Sequence, residues 1–145
     1  MGWLLLAICM AFLTIIGDIQ LEERQTARTA WQQQSGQLYA TQMLMLANRI
    51  NDYRYNRNPG DGTLALSLLA LPFTPDPRIQ HRLVQGRLWV WMPEQPGLVD
   101  ALRDRSRGSA LIGTRRNGQL VWLSGTASGL SAPADIPDGA VVYLN

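Results

Sequence analysis

YATQMLMLANRINDY, residues Tyr39 to Tyr53, carries the pattern that decides the fold. Tyr39, Met43, Leu46, Ile50 and Tyr53 follow one another at spacings of four, three, four and three. That is the repeat of one helix face, an apolar stripe that something must cover. Trp31, Leu38 and Met45 form a second row at seven-residue spacing, and Gln32, Gln33, Gln37, Asn48 and Arg49 lie opposite. Two readings are open: the rows cover the chain's own core, or they pair with a partner helix as a coiled coil. From Asp18 to Asp52 there is no proline and one glycine, Gly36, so the helix is expected to run far upstream.

Upstream lies WLLLAICMAFLTIIGD, residues Trp3 to Asp18. Thr14 is its only polar residue before Gly17, and no charge precedes Asp18. The uncharged run, about 25 Å as a helix, is at the lower limit for a bilayer, and local thinning accommodates the shortfall. A cleaved secretory signal fits poorly, because no Lys or Arg precedes Trp3 and no small-residue cut site follows Ile16. A lipoprotein signal fails, because Ile8 precedes Cys9. A core helix should show a polar face, and this one is apolar all round. The expectation is a retained anchor over residues 1–18, greasy at Trp3, Leu4, Leu5, Leu6, Ile8, Phe12, Leu13, Ile15 and Ile16, with Trp3 at one interface. Asp18, Glu22, Glu23 and Arg24 mark the other side. Residues 19–36, polar from Gln20 to Gln34, read as a helical stalk, and residues 37–145 as the domain. A bacterial signal-anchor of this kind places the bulk of the chain in the periplasm, although Arg24 and Arg28 on the far flank argue mildly the other way.

Downstream, NRNPGDG, residues 56–62, ends the helix. TLALSLLALP reads as a short helix capped by Thr63 and stopped before Pro72. RLWVWM, residues 87–92, reads as a strand whose alternation turns either Leu88 and Val90 or Trp89 and Trp91 toward the long helix. Pro96 is placed in the first turn of a second helix, with Leu98 and Leu102 facing inward. SALIGT and QLVWLS flank Asn117-Gly118, the strongest hairpin signal in the chain. A glycine- and serine-bearing loop, the IPDG turn and a final strand AVVYLN complete it. The order implies an α+β fold, with about four mostly antiparallel strands packed on the long helix.

The 145 residues are 46% hydrophobic and 17% charged, so this is no disordered tail. The 13 basic residues are all arginine. Without lysine there is no Walker A loop and no Schiff base. A net charge of +2 is a poor basis for binding nucleic acid. One histidine and one cysteine leave no Cys/His metal set. A hydrolase would have to use His81 in IQHRLVQG, where a solvated loop residue is the plainer reading and no G-x-S-x-G accompanies it. Asp100 and Asp104 beside Arg103 and Arg105 make a charged helix face. Arg103, Arg105, Arg107, Arg115 and Arg116 could gather into a patch for an acidic protein or lipid headgroups. NPGDG lacks the spaced acidic ligands of a calcium loop. No catalytic group and no cofactor site is expected.

An apolar leader running into a long helix and a small sheet resembles type IV pilin architecture. The pilin signal, a glycine cut site with glutamate fifth in the apolar segment after it, is not matched. Counting from Gly2 the fifth residue is Ala7; from Gly17 it is Glu22, with the apolar segment on the wrong side. The chain is more closely similar to the small PilM family of type IVB (thin, conjugative) pilus biogenesis, distinct from the larger actin-like ATPase of the same name. The residues that carry the resemblance are the anchor, YRYNRNPGDG, LALPF, GRLWVWMPEQPGLVDAL, SRGSALIGTRRNGQLVW and IPDGAVVYLN. It implies an inner-membrane component of the pilin transport apparatus or thin-pilus basal body, without catalytic or cofactor residues. Its partners would be other pilus-assembly proteins and pilin itself, at positions such as Trp31, Leu38, Trp89, Trp91, Arg103, Arg105 and Arg107. The alternatives are a minor pilin-like subunit entering the filament and a membrane-anchored hydrolase using His81.

Overall fold

One helix, α1, runs without interruption from Gly2 to Asn56 in the computed structural model, which describes residues 2–107 and 111–145, and for residues 17–23 the backbone alone. No proline interrupts it before Pro59. Around the helix end Arg54 bonds Asn51 Oδ1 and the Gly86 carbonyl. After it the described residues form six strands and one further α-helix: β1 (Gln80–Val84), β2 (Arg87–Met92), α2 (Leu98–Arg105), β3 (Ile112–Arg116), β4 (Gln119–Trp122), β5 (Ala127–Ser131) and β6 (Val141–Leu144). The strands form one antiparallel sheet in the order β1-β2-β6-β3-β4-β5. The α+β class is as expected, but six strands replace the expected four.

The sheet has two covered faces. On the helix side, Leu88, Val90, Met92, Ile112 and Val141 pack against Ala40, Met43, Leu46, Ala47 and Ile50 of α1 and Leu98, Ala101 and Leu102 of α2. The Tyr39–Tyr53 stripe is thus the core face, with its two tyrosines at the rim. On the far side, Trp89 and Trp91 pack with Leu120, Val142, Leu144, Ile136 and Ala140. The residues after β5 cover this second cluster, so β2 is buried on both faces.

Gly36 is where α2 meets α1. A Cβ there would stand 2.5 Å from the Gly97 carbonyl carbon, so only glycine lets the two backbones approach this closely. Gln95–Leu98 forms a tight turn, with the Leu98 N–H donated to the Gln95 carbonyl (3.1 Å) and Gly97 at φ 77°. Pro96 therefore sits in the turn and not, as expected, in the helix, which starts at Leu98. The Asn117-Gly118 hairpin is present, both residues at positive φ.

The expected helix over TLALSLLALP is absent apart from a 3-10 turn at Leu66–Leu68, whose N-cap is Ala65 and not Thr63. The residues before it are taken by the sheet edge. Gly62 exchanges backbone hydrogen bonds with Leu83 (2.8 and 2.7 Å), and the Leu64 N–H is donated to His81. The segment becomes an apolar strap, with Leu69 buried and Leu64 and Leu71 against the core.

Candidate functional site

The apolar leader is helical from Gly2, and Trp3, Leu4, Leu5, Leu6, Ile8, Phe12, Leu13, Ile15 and Ile16 are all exposed. No other described residue covers them. Thr14, the only polar residue there, donates its hydroxyl to the Ala11 carbonyl (2.8 Å). The one hydroxyl in the segment is therefore satisfied within the helix itself, as an apolar medium requires. Among the described residues no helix is long and apolar enough to cross a membrane. Cys9 is exposed in the same segment.

Trp31 and Leu38 are exposed by 70% and 56%. They point away from the buried face that Gly36, Ala40, Met43, Ala47 and Ile50 define, so this row does not join the core. Trp89 and Trp91 do the opposite. Each is only 3% exposed, so these two candidate contact positions are not surface: they face away from α1, as alternation permits, but into the second cluster. Arg103, Arg105 and Arg107 are exposed at the end of α2. Arg115 does not join them in a patch. Its guanidinium reaches the Ile136 carbonyl and lies 3.6 Å from Asp138, holding the IPDG turn over the second cluster.

His81 is a strand residue, 8% exposed, and not the solvated loop residue expected. Its Nε2 accepts the Leu64 N–H at 3.0 Å. The position is informative, because Gly62 pairs with Leu83 and two residues further along each strand the antiparallel register brings Leu64 opposite His81. The imidazole supplies the acceptor where a ladder would continue. Burial holds the pKa of His81 below its ordinary value, and the lone pair that accepts the Leu64 N–H exists only on unprotonated Nε2. A cleft of about 290 Å³ lined by Thr63, Leu66, Ile79, His81, Trp91 and Asp135 opens beside the ring. Among the described residues no three His, Cys, Asp or Glu side chains are grouped to hold a metal ion.

Several tethers escaped the sequence reading. Arg78 bonds both Asp76 oxygens (3.0 and 3.1 Å) and the Tyr39 hydroxyl (2.7 Å), while the Asp76 N–H is donated to Gln42 Oε1 (2.8 Å). This clip fastens the loop that carries Pro75 and Pro77 to α1. Its hydrogen bonds from Arg78 lower the pKa of Asp76. Arg82 pairs with Asp135 across the gap between β1 and the residues after β5. Such partners lie far apart in sequence and carry no local signature.

These features define a class: a small α+β domain carried on a long helix whose apolar end no described residue covers. A family model described as PilM matches residues 10–144, and the chain belongs to the PilM family. The crystal structure of a protein designated PilM from Escherichia coli B7A is 34% identical, with a TM-score of 0.65 over 83% of this chain and 94% of that one. A second, designated pilM protein from Pseudomonas aeruginosa 2192, is also 34% identical, with a TM-score of 0.44 over 75% and 94%. A comparison with curated proteins finds no match. The chain is a pilus-related protein.

Proposed function

We propose that this PilM-family chain is a non-catalytic, inner-membrane structural component of type IVB pilus biogenesis. It would belong to the pilin transport apparatus or the thin-pilus basal body, with residues 1–18 in the bilayer and the domain in the periplasm. The observation that supports the reading best is the uncovered segment from Trp3 to Ile16. Left in water, that many large apolar side chains on every face of one helix carry a heavy hydration cost, and lipid removes it. The described apolar length is about 22 Å, short of a hydrocarbon core of about 30 Å, so local thinning of the bilayer around the helix is part of the proposal. Beyond the bilayer the chain works by protein-protein contacts within the pilus-assembly machine, and the exposed Trp31 and Leu38 are the positions best suited to them.

Two measurements test it. Full-length protein from lysed cells should sediment with membranes and resist alkaline extraction until detergent is added; recovery in the detergent-free soluble fraction overturns the anchor. Deleting the gene should abolish thin pili while prepilin is still made. An unchanged number of pili removes the assembly role.

A further inference from the structure

The face of α1 opposite the core holds a seam that the seven-residue row only hints at. Ala27, Trp31, Gln34, Leu38, Thr41 and Met45 succeed one another at spacings of four, three, four, three and four. On a helix this places all six on one side, away from Gly36, Ala40, Met43, Ala47 and Ile50, which are buried against the domain. The first four are exposed, and Thr41 and Met45 are half-buried. The pattern is that of the a and d positions of a two-stranded coiled coil, about 27 Å long.

We propose that this seam pairs with the same seam of a second copy of the chain, the two helices parallel and in register. Two observations select a second copy over a different partner. From Thr29 to Asn48 the helix carries no charged residue, an unusual surface for an exposed helix. A face without charge meets its own copy with no like-charge repulsion and offers nothing to a charged partner. Of the seam's two polar members, Thr41 donates its hydroxyl to the Gln37 carbonyl of its own helix (2.8 Å), while Gln34 has an amide that both donates and accepts, so two identical Gln34 side chains bond across the axis. A polar layer of this kind fixes register in coiled coils.

The apolar leader sets the direction. Trp3, Leu6, Met10 and Leu13 occupy the same a and d phase, so parallel pairing brings the leaders side by side, while antiparallel pairing sends them to opposite ends. Arg24 and Asp52 take the same phase just outside the seam and bound it. This proposal names the partner for the contact role given above and rests on that reading for the shared membrane.

The test is disulfide linking of the full chain in native membranes. Cys9 is the only cysteine, so Cys9→Ser gives a silent background. On oxidation, Trp31→Cys and Leu38→Cys should each give a band at twice 16.1 kDa. Thr29→Cys, exposed on the other side of the helix from Trp31, should stay monomeric. Adding Leu38→Arg to Trp31→Cys should abolish the dimer band; since Leu38 is exposed, the domain still folds. Linking between co-produced Trp31→Cys and Met45→Cys chains, in place of Trp31→Cys with itself, means antiparallel helices and overturns the proposal. Linking only to a larger protein, or equal linking from Thr29→Cys, overturns it as well. A chain that needs detergent for release but never links to itself refutes this pairing and leaves the membrane assignment standing.

Discussion

The two halves of α1 are built from similar residues and are treated differently by the rest of the chain. Between Ala40 and Ile50 the buried apolar side chains share one face, and the sheet with α2 buries that face completely at Met43, Leu46 and Ile50. Between Trp3 and Ile16 they occupy every face, and no other described residue covers them. A one-sided stripe specifies a domain core, whereas an all-round apolar surface specifies a medium or another helix. The helix thus divides its apolar content between folding and placement.

The sharpest way to break that contrast is to make one truncation in each half. Leu46→Ala should cost the domain about 2–5 kcal/mol, because the transfer term and the cavity add at a site packed on all sides. Phe12→Ala should leave the domain's unfolding midpoint in detergent unchanged. Denaturant titration of the detergent-solubilised full chain compares the two. Equal losses would mean that the leader packs on the domain.

The junction comes next. Gly36→Leu inserts a side chain where even a Cβ would meet the Gly97 carbonyl carbon at 2.5 Å and its oxygen at 2.7 Å. Both obstacles are backbone, so α2 must shift, at a cost of about 1–3 kcal/mol by the scale of overpacked cores. A thermal melt should show the loss, and Gly36→Ala should show part of it. A neutral Gly36→Leu would mean that α2 docks loosely on the helix.

His81 gives a smaller, pH-dependent effect. Its folded pKa lies below the ordinary value of 6.5, so the unfolded chain binds the proton more readily. The stability this residue contributes is complete above about pH 6.5 and is lost as the pH falls through the lower, folded pKa. His81→Gln keeps an acceptor for the Leu64 N–H but cannot be protonated, so the variant should lose less stability than the parent between about pH 6.5 and 5, against a hydrogen bond worth about 1 kcal/mol. Parallel titrations of unfolding at those two pH values decide it. Identical slopes for parent and variant would show that protonation does not reach the Leu64 contact.

What could be read in advance follows how local each signal is. The core stripe of α1, the Asn117-Gly118 hairpin and the inward Leu98 and Leu102 were legible because a periodicity or a turn dipeptide states them within a few residues. The strand β1 was not. Its turn is Gln85-Gly86, with Gln85 at φ 50°, a conformation for which glutamine is a poor indicator. The turn is supported from outside, by Asp61 Oδ1 accepting the Gln85 N–H (3.0 Å) and by Arg54 on the Gly86 carbonyl. The strand β5, ASGLS, has loop composition; the Ser128 hydroxyl donates to the Leu120 carbonyl (2.6 Å) and accepts the Leu130 N–H (3.1 Å), patching an irregular pairing with β4. Missing these two edge strands also hid the cover over Trp89 and Trp91, so tryptophans that build a second core looked available to a partner. Of the apolar candidate contact positions, Trp31 and Leu38 keep their surface, and they lie on the one helix whose periodicity could be followed throughout.

The smallest stability effect tests that last pair. Trp31→Ala removes a large side chain that is 70% exposed and touches none of the core, so at high dilution in detergent the domain's stability should move by no more than about 0.5 kcal/mol. The parent and the variant should then diverge as protein concentration rises, because anything that binds only the folded state stabilises it by mass action. If Trp31 lies in a seam between two copies, the parent's melting temperature climbs with concentration and the variant's does not. Curves that coincide at every concentration would return Trp31 to the plain solvated surface. A large loss at high dilution would instead mean that the upper half of α1 is covered by its own domain, and the division of the helix into a folding half and a placement half would fail.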